Sequence, residues 1–291
     1  VSAPSLPSLL VSHWHPSWSV DAAAIGCAAL YLYAAGTLRT RWPRRRTASF
    51  LAGVGCLVVA LQSGIDTFDD QLLSVHMVQH MLLLMAAPLL LLCGRPVILA
   101  LRALPAGRRQ VLAGALERLR PLTGPATCIV AFSAALVLTH LPSFYDATLR
   151  HPALHDFEHV VYLTAGLLLW WPLLDGDPVP AHRLGGLGRI VYMLAAMPAM
   201  ALVGAYLNRH PSLVYPAYGP PARALGISAV VDQQQAGAIM WVAGSAIMTA
   251  VGLWSALSAL VAEERRQQAR EARERRGRDE REAPAIGGSL P

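Results

Sequence analysis

Histidines recur at helical spacing in this chain, and that pattern is its clearest chemical signal. The run His76-Met77-Val78-Gln79-His80-Met81 sets two imidazoles four residues apart, and residues four apart share one face of a helix. His155-Asp156-Phe157-Glu158-His159 repeats the spacing, and His140 ends an apolar run between the two pairs. Imidazole suits copper, zinc and iron, whereas thioether ligands favour Cu(I). Met77, Met81 and Met85 recur every four residues beside the first pair. The pattern predicts a metal site of His76, His80, His140, His155 and His159, with copper as its ion. Asp66, Met77, Met81, Asp156 and Glu158 are the expected supporting residues, since carboxylates behind an imidazole fix its orientation. Each part also has a plainer reading. A methionine stripe packs well in any core, and Asp156 and Glu158 in a first helical turn complement the helix dipole.

Two other chemistries compete for the same residues. Histidines on two facing helices can hold a haem, as in a membrane b-type cytochrome. His155 to His159 also reads H-x-x-E-H, an inverted zincin pattern. A zinc hydrolase needs a further ligand downstream, for which His210 and Asp232 are the strongest choices. Asp232 to Gln235 fits a helix capping box better than a ligand role. Asp69 and Asp70 read as a solvated acidic loop. Cys27, Cys56, Cys93 and Cys128 form no CxxC pair and read as small apolar packing residues.

The elements that must carry these residues are membrane helices. The 291-residue chain is 54% hydrophobic and only 14% charged, where a soluble domain is nearer a quarter charged. Its apolar residues fall in runs long enough to span a bilayer, which takes about 20 residues. The spacing predicts an all-α bundle of seven transmembrane helices, at about 20–38, 48–65, 74–93, 124–140, 154–174, 187–207 and 234–261. An N-terminal segment (1–19) precedes the membrane domain (20–262), and a charged tail (263–291) follows it. Residues 1–20 lack the charged and apolar regions of a signal peptide.

All 24 basic residues are arginine, and 21 of them fall in one set of alternate loops and the tail. Positive-inside bias makes that side cytoplasmic, so the N-terminus is expected outside and the C-terminus inside. The same reasoning removes nucleic acid as a partner despite a pI near 9.5. The bilayer itself is the expected partner. Nine of the ten histidines then lie at or near the outer face, with His182 the exception. His80 should sit roughly 9 Å inside the outer end of its helix, at 1.5 Å per residue. Ionisable groups at such depth face the bundle interior or a wet cavity. Residues 94–121 suggest an amphipathic helix lying on the cytoplasmic surface. Trp42, Trp170 and Trp171 are assigned to the inner aromatic belt, and Trp14 and Trp18 to the outer one. The Arg/Glu stretch 263–282 reads as a solvated helix with (i, i+4) pairs such as Glu271 and Arg275, and 283–291 as disordered.

Several of these segments, in order, resemble one known family. His76-Met-Val-Gln-His80 leading to Pro88, Gly94-Arg-Pro96, Leu101-Arg-Ala-Leu-Pro105, Thr139-His140-Leu-Pro142 with Phe144-Tyr145, His155-Asp-Phe-Glu-His159 leading to Trp170-Trp171-Pro172, and Asp232-Gln-Gln-Gln-Ala-Gly237 with Ile239-Met-Trp241 are similar to the polytopic CtaG family of cytochrome c oxidase assembly factors. The likeness covers about residues 20 to 260; His13-Trp14-His15 lies outside it and is set aside. The resemblance implies a multi-pass, non-enzymatic factor in a bacterial plasma membrane that helps mature a haem-copper oxidase. Joined to the histidine spacing, it implies copper capture at the outer face and transfer to an oxidase subunit.

Overall fold

The computed structural model describes residues 13–174 and 184–282, with side chains to residue 275. The expectations for His182, Arg183 and the end 283–291 fall outside those residues. Among the described residues every regular element is helical. In chain order these are α1 (Trp18–Thr37), α2 (Arg44–Gln62), α3 (Gly64–Phe68), α4 (Leu73–Met81), α5 (Ala87–Cys93), α6 (Pro96–Ala103), α7 (Ala106–Leu119), α8 (Pro125–Thr139), α9 (Pro142–Thr148), α10 (Pro152–Trp170), α11 (Gly186–Arg209), α12 (Gly219–Ala224), α13 (Ala229–Ala238) and α14 (Gly244–Glu282). Wider π turns join α4 to α5 (Leu82–Ala86) and α13 to α14 (Ile239–Ala243).

Among the described residues, five helical stretches are long and apolar enough to cross a membrane. A sixth joins them if Ala106–Thr123 and Pro125–Thr139, bent by 69°, count as one span. The expected fifth span, now α10, is 19 residues long. Its hydropathy is lowered by His155, Asp156, Glu158 and His159, the same residues that give it chemical interest.

The helices close into a ring. α5 packs on α2, and the π turn before it packs on α10; α10 packs on α8, α8 on α11, α11 on α13 and α14, and α13 returns to α4. α1 rests on the outside, against α2 and α6. The interior is filled by Met77, Leu84, Phe132, Leu136, Tyr162, Trp170 and Met200, all at most 1% exposed. Trp170 and Trp42 are thus packed in protein, at 0% and 7% exposure, and do not form a lipid-facing belt. Trp42 donates to the Tyr31 hydroxyl, and Arg46 lies over its ring. Trp18, at 91% exposure, does face outward.

Two close approaches set the interior geometry. Pro88 has no N–H to offer the Leu84 carbonyl, and Gly166 of α10 sits against that carbonyl, where a Cβ would overlap it. Gly204 of α11 and Gly237 of α13 meet backbone to backbone, the small-residue contact typical of membrane helices. Asn208 reinforces it by donating to the Gln234 carbonyl at 2.7 Å.

Residues 94–121, expected to hold one amphipathic helix, form α6, a turn and α7. α6 follows Arg95, whose φ of +54° breaks the helix after Cys93, and buries Leu99. α7 buries no residue. α14 continues from its span into the Arg/Glu stretch without a break. Its side chains there pair at (i, i+4), Gln267 with Glu271 and Gln268 with Glu264.

Candidate metal centre

The interior of the ring near the start of α4 holds an unusual density of polar side chains. α4 begins without a side-chain cap of its own. Its first amides are met instead by Asp232 of α13, which accepts from Leu73 N–H at 2.6 Å and also from the Ser74 hydroxyl. Asp232 is therefore not the cap of its own helix, as local spacing suggested. It caps a helix 159 residues away and fixes the angle at which His76 and His80 enter the bundle.

His76 and His80 stack edge to face with ring centroids 4.1 Å apart. α10 brings His155 to 5.1 Å from His76, and His159 to 4.3 Å from His155. His140, at the end of α8, lies 6.4 Å from His80. The structure thus gathers all five expected histidines into one chain of neighbouring rings. Within it, two groups bring three ligand atoms to within 4.8 Å of one another: Asp69, His76 and His155, and His76, His80 and Glu158. His76 belongs to both. His140 and His159 lie beside these groups but in neither.

Hydrogen bonds decide which atoms are available. The Tyr218 hydroxyl gives its only proton to the Asp69 carbonyl at 2.8 Å, so at 3.0 Å it accepts from His76 Nδ1. His76 Nε2 then carries a lone pair, and it has no partner. His140 Nδ1 donates to the Leu136 carbonyl at 2.8 Å, which leaves Nε2 in the same condition. Gln79 donates its amide to the Ala60 carbonyl and to Asp66, so its oxygen faces His159 Nε2 at 3.2 Å and accepts from it. Both nitrogens of His80, Nε2 of His155, both oxygens of Glu158 and Oδ2 of Asp69 have no hydrogen-bond partner. Glu158 is fully buried, 4.0 Å from His80 Nε2. Buried polar atoms are ordinarily satisfied, and each exception needs a reason.

The supporting residues divide. Glu158 stands in the ligand group itself. Asp66 acts from behind, holding Gln79, and also pairs with His15 at 3.2 Å. The N-terminal histidine set aside from sequence therefore does reach this region. Asp156 lies on the exposed side of α10. Asp69 corrects the expectation of a solvated loop: it is 4% exposed, under Tyr218 and 3.7 Å from His155. Burial, with the nearby Asp66 and Asp70 charges, pushes its carboxyl up to about 8. Asp70 is exposed, as expected. His210, offered as a zincin ligand, is held by Ser212 on the surface.

Below the histidines lies a void of about 10 Å³, lined by Met77, His80, Met81, His140, Met200 and Met240 among others. A space this size admits about one water-sized body. Met200 and Met240 come from α11 and the second π turn, so no local spacing pointed to them. Tyr162 also lines the void and stacks on His80 at 4.0 Å, while Tyr145, stacked on Tyr215, lies 5.1 Å from His76. Unpartnered imidazole nitrogens, a buried carboxylate and four thioethers together form a donor set for a soft or borderline cation. Across the two helices the rings of the histidine pairs are near neighbours, His76 to His155 at 5.1 Å and His80 to His159 at 6.5 Å. Glu158, which the zincin spacing would set with His155 and His159, groups instead with His76 and His80 and is fully buried.

The cytochrome c oxidase caa3 assembly factor family (Caa3_CtaG) matches this chain over residues 29–260. The uncharacterized protein Mb0105 of Mycobacterium bovis and the uncharacterized protein MT0111 of Mycobacterium tuberculosis are each 34% identical to it over 271 residues. The uncharacterized protein ML1998 of Mycobacterium leprae is 32% identical over the same length. Each alignment covers 87% of this chain and 40% of the relative, so the chain spans about two fifths of the length of these proteins. No solved structure matches it.

Proposed function

Because the chain belongs to the cytochrome c oxidase caa3 assembly-factor family, we propose that it takes up a copper ion at the outer face of a bacterial plasma membrane and helps deliver it to a haem-copper oxidase subunit. In this reading the chain crosses the membrane seven times, α10 included. The N-terminus lies outside, and the arginine-rich loops and tail lie in the cytoplasm.

The observation that carries the proposal is the set of buried ligand atoms without partners. An unsatisfied buried polar group costs about 1–3 kcal/mol, and more if charged. A bundle that keeps several of them side by side has its compensation in a cation. Copper is favoured over zinc by the methionines around the void, because thioether is a soft ligand that selects Cu(I). The order of groups suggests how cargo moves. Asp69, His76 and His155 stand toward the outer end, and His76, His80 and Glu158 one turn deeper. Since His76 serves both, an ion stepping between them keeps one ligand throughout. Release outward to an oxidase subunit is then a ligand exchange.

The test is metal analysis of the full chain purified under reducing conditions, with and without His76→Ala and His80→Ala together. Copper bound by the parent and lost from the double variant is the expected result; equal copper in both rejects the site. In the organism, deletion of the gene should leave an oxidase deficient in copper, restored by the parent chain but not by the double variant. A copper-replete oxidase in the deletion strain rejects the function.

A further inference from the structure

The segment before α1 is strapped across α3 and tied down at several points. His15 N–H donates to the Gln62 carbonyl at 3.0 Å. The Gln62 side-chain amide returns the contact, donating to the Ser17 carbonyl and to Asp21. Thr67 of α3 donates to the His13 carbonyl at 2.9 Å, and the His13 ring stands edge-on to Phe68. These ties hold the His15 side chain against Asp66, with Nε2 3.2 Å from Oδ2. The family match begins at residue 29, so the strap lies outside the matched part of the chain.

His15 and Asp66 have the form of a metal ligand and its support. Asp66 is fixed from behind, because its Oδ1 accepts from the amide of the buried Gln79 at 2.8 Å. With Oδ1 committed inward, Oδ2 accepts from His15 Nε2. In the neutral imidazole the proton then sits on Nε2 and the lone pair on Nδ1. A carboxylate behind an imidazole is how metal-binding histidines are commonly oriented. The His15 side chain is 50% exposed, against 19% for His155 and 4% for His80. Accessibility therefore falls stepwise from His15 to the buried rings. The rim is also joined to those rings: Gln79, which holds Asp66, accepts from His159 Nε2 at 3.2 Å. Three residues after Asp66, Asp69 Oδ2 and the neighbouring His155 Nε2 are unpartnered atoms of the outer ligand group.

We propose that His15, backed by Asp66, is the entry ligand of this protein: it takes a copper ion from solvent on Nδ1 and passes it to the group of Asp69, His76 and His155. This rests on the copper reading above and adds to it a station that sets the rate of loading. A ligand at the rim lowers the barrier to entry and to exit alike. Removing it slows both and leaves the final equilibrium alone.

The experiment follows transfer of Cu(I) from a chromophoric chelator to the full chain in detergent. Stopped-flow absorbance is read under reducing conditions, in the range where the rate rises with protein concentration, and equilibrium copper is measured on the same samples. His15→Ala is expected to slow transfer about tenfold, the scale on which a guided encounter exceeds an unguided one, with equilibrium affinity unchanged. His15→Gln keeps a donor for Asp66 but has no imidazole, so it should be as slow as His15→Ala. His15→Met loses the bond to Asp66 but supplies a thioether, a soft ligand for Cu(I), and should recover much of the rate. Thr67→Ala cuts another tie of the strap without touching a ligand and should load at the parental rate. The proposal is overturned if His15→Ala loads as fast as the parent or faster, or if it loses equilibrium affinity as well as rate. It is equally overturned if His15→Gln restores the rate, if His15→Met does not, or if Thr67→Ala slows transfer as much as His15→Ala, since His15 would then only fasten the strap. Failure of the copper reading looks different: the parent takes up no copper, or His76→Ala with His80→Ala takes up as much as the parent.

Discussion

The two ends of the bundle treat polar side chains in opposite ways. At the histidine end they point inward: His76, His80 and Glu158 are at most 3% exposed, and their free atoms face each other. At the arginine end most are turned outward, as on α7, where nothing is buried, and the buried Arg189 has carbonyl and hydroxyl partners. Both ends belong to the same helices, so the cost of placing charge in a bilayer does not explain the difference. At one end the buried guanidinium finds its partners within the chain. The other keeps several buried ligand atoms without a hydrogen-bond partner. Among the described residues, a cluster of unpartnered buried ligand atoms at one end, against the single unpartnered Trp170 Nε1 toward the other, marks a candidate site more sharply than histidine content does.

The strongest way to break that comparison is to remove the shared ligand. His76→Ala alone should reduce copper affinity more than His140→Ala or His159→Ala alone, because His76 belongs to both three-atom groups and the other two belong to neither. Bound copper, measured by competition with a chromophoric chelator, should fall at least about 100-fold for His76→Ala. An equal loss for all three would mean that the five rings act as one site. Next in size is Tyr218→Phe. It removes the acceptor that holds His76 Nδ1 and leaves the Asp69 carbonyl unbonded. Loss of such a partner behind a ligand typically costs about 10- to 100-fold in metal affinity. No change in affinity would show that the tyrosine only packs.

What the sequence made legible follows the range of its signals. Hydropathy placed the long helices, and the four-residue spacing put His76 with His80 and His155 with His159, because both are properties of a single helix. Tyr218, Met200 and Met240 had no such signal. They reach the site only through the closure of α11, α13 and the turn before α12 onto α4, and nothing local records that closure. Asp69 and Asp232 misled for the same reason. An acidic loop reads as solvated and D-x-x-Q as a local cap, yet one folds under Tyr218 and the other caps a distant helix. The π turns also escaped, since a single extra residue leaves hydropathy unchanged.

A smaller effect is expected from the scaffold under the histidines. Asp232→Ala removes the acceptor for the first amides of α4 and for the Ser74 hydroxyl. Loss of a cap costs about 1–2 kcal/mol. The thermal midpoint of the chain without metal should fall by a few degrees. Copper should restore much of that loss, since an ion bound only by the folded state stabilises it. A drop that copper does not reduce would place Asp232 outside the support of the site.

The smallest expected effect lies at the other end. Arg120 pairs with Glu117 at 3.0 Å, and both are half-exposed or more. Exposed pairs contribute about 0–1 kcal/mol, with salt screening much of that. Arg120→Gln should therefore leave both the thermal midpoint and copper affinity within error, and added salt should erase any residual shift. If this variant instead destabilises the chain as much as Asp232→Ala, the arginine end is not merely interfacial charge. The contrast between a satisfied end and an incomplete one would then have to be drawn residue by residue.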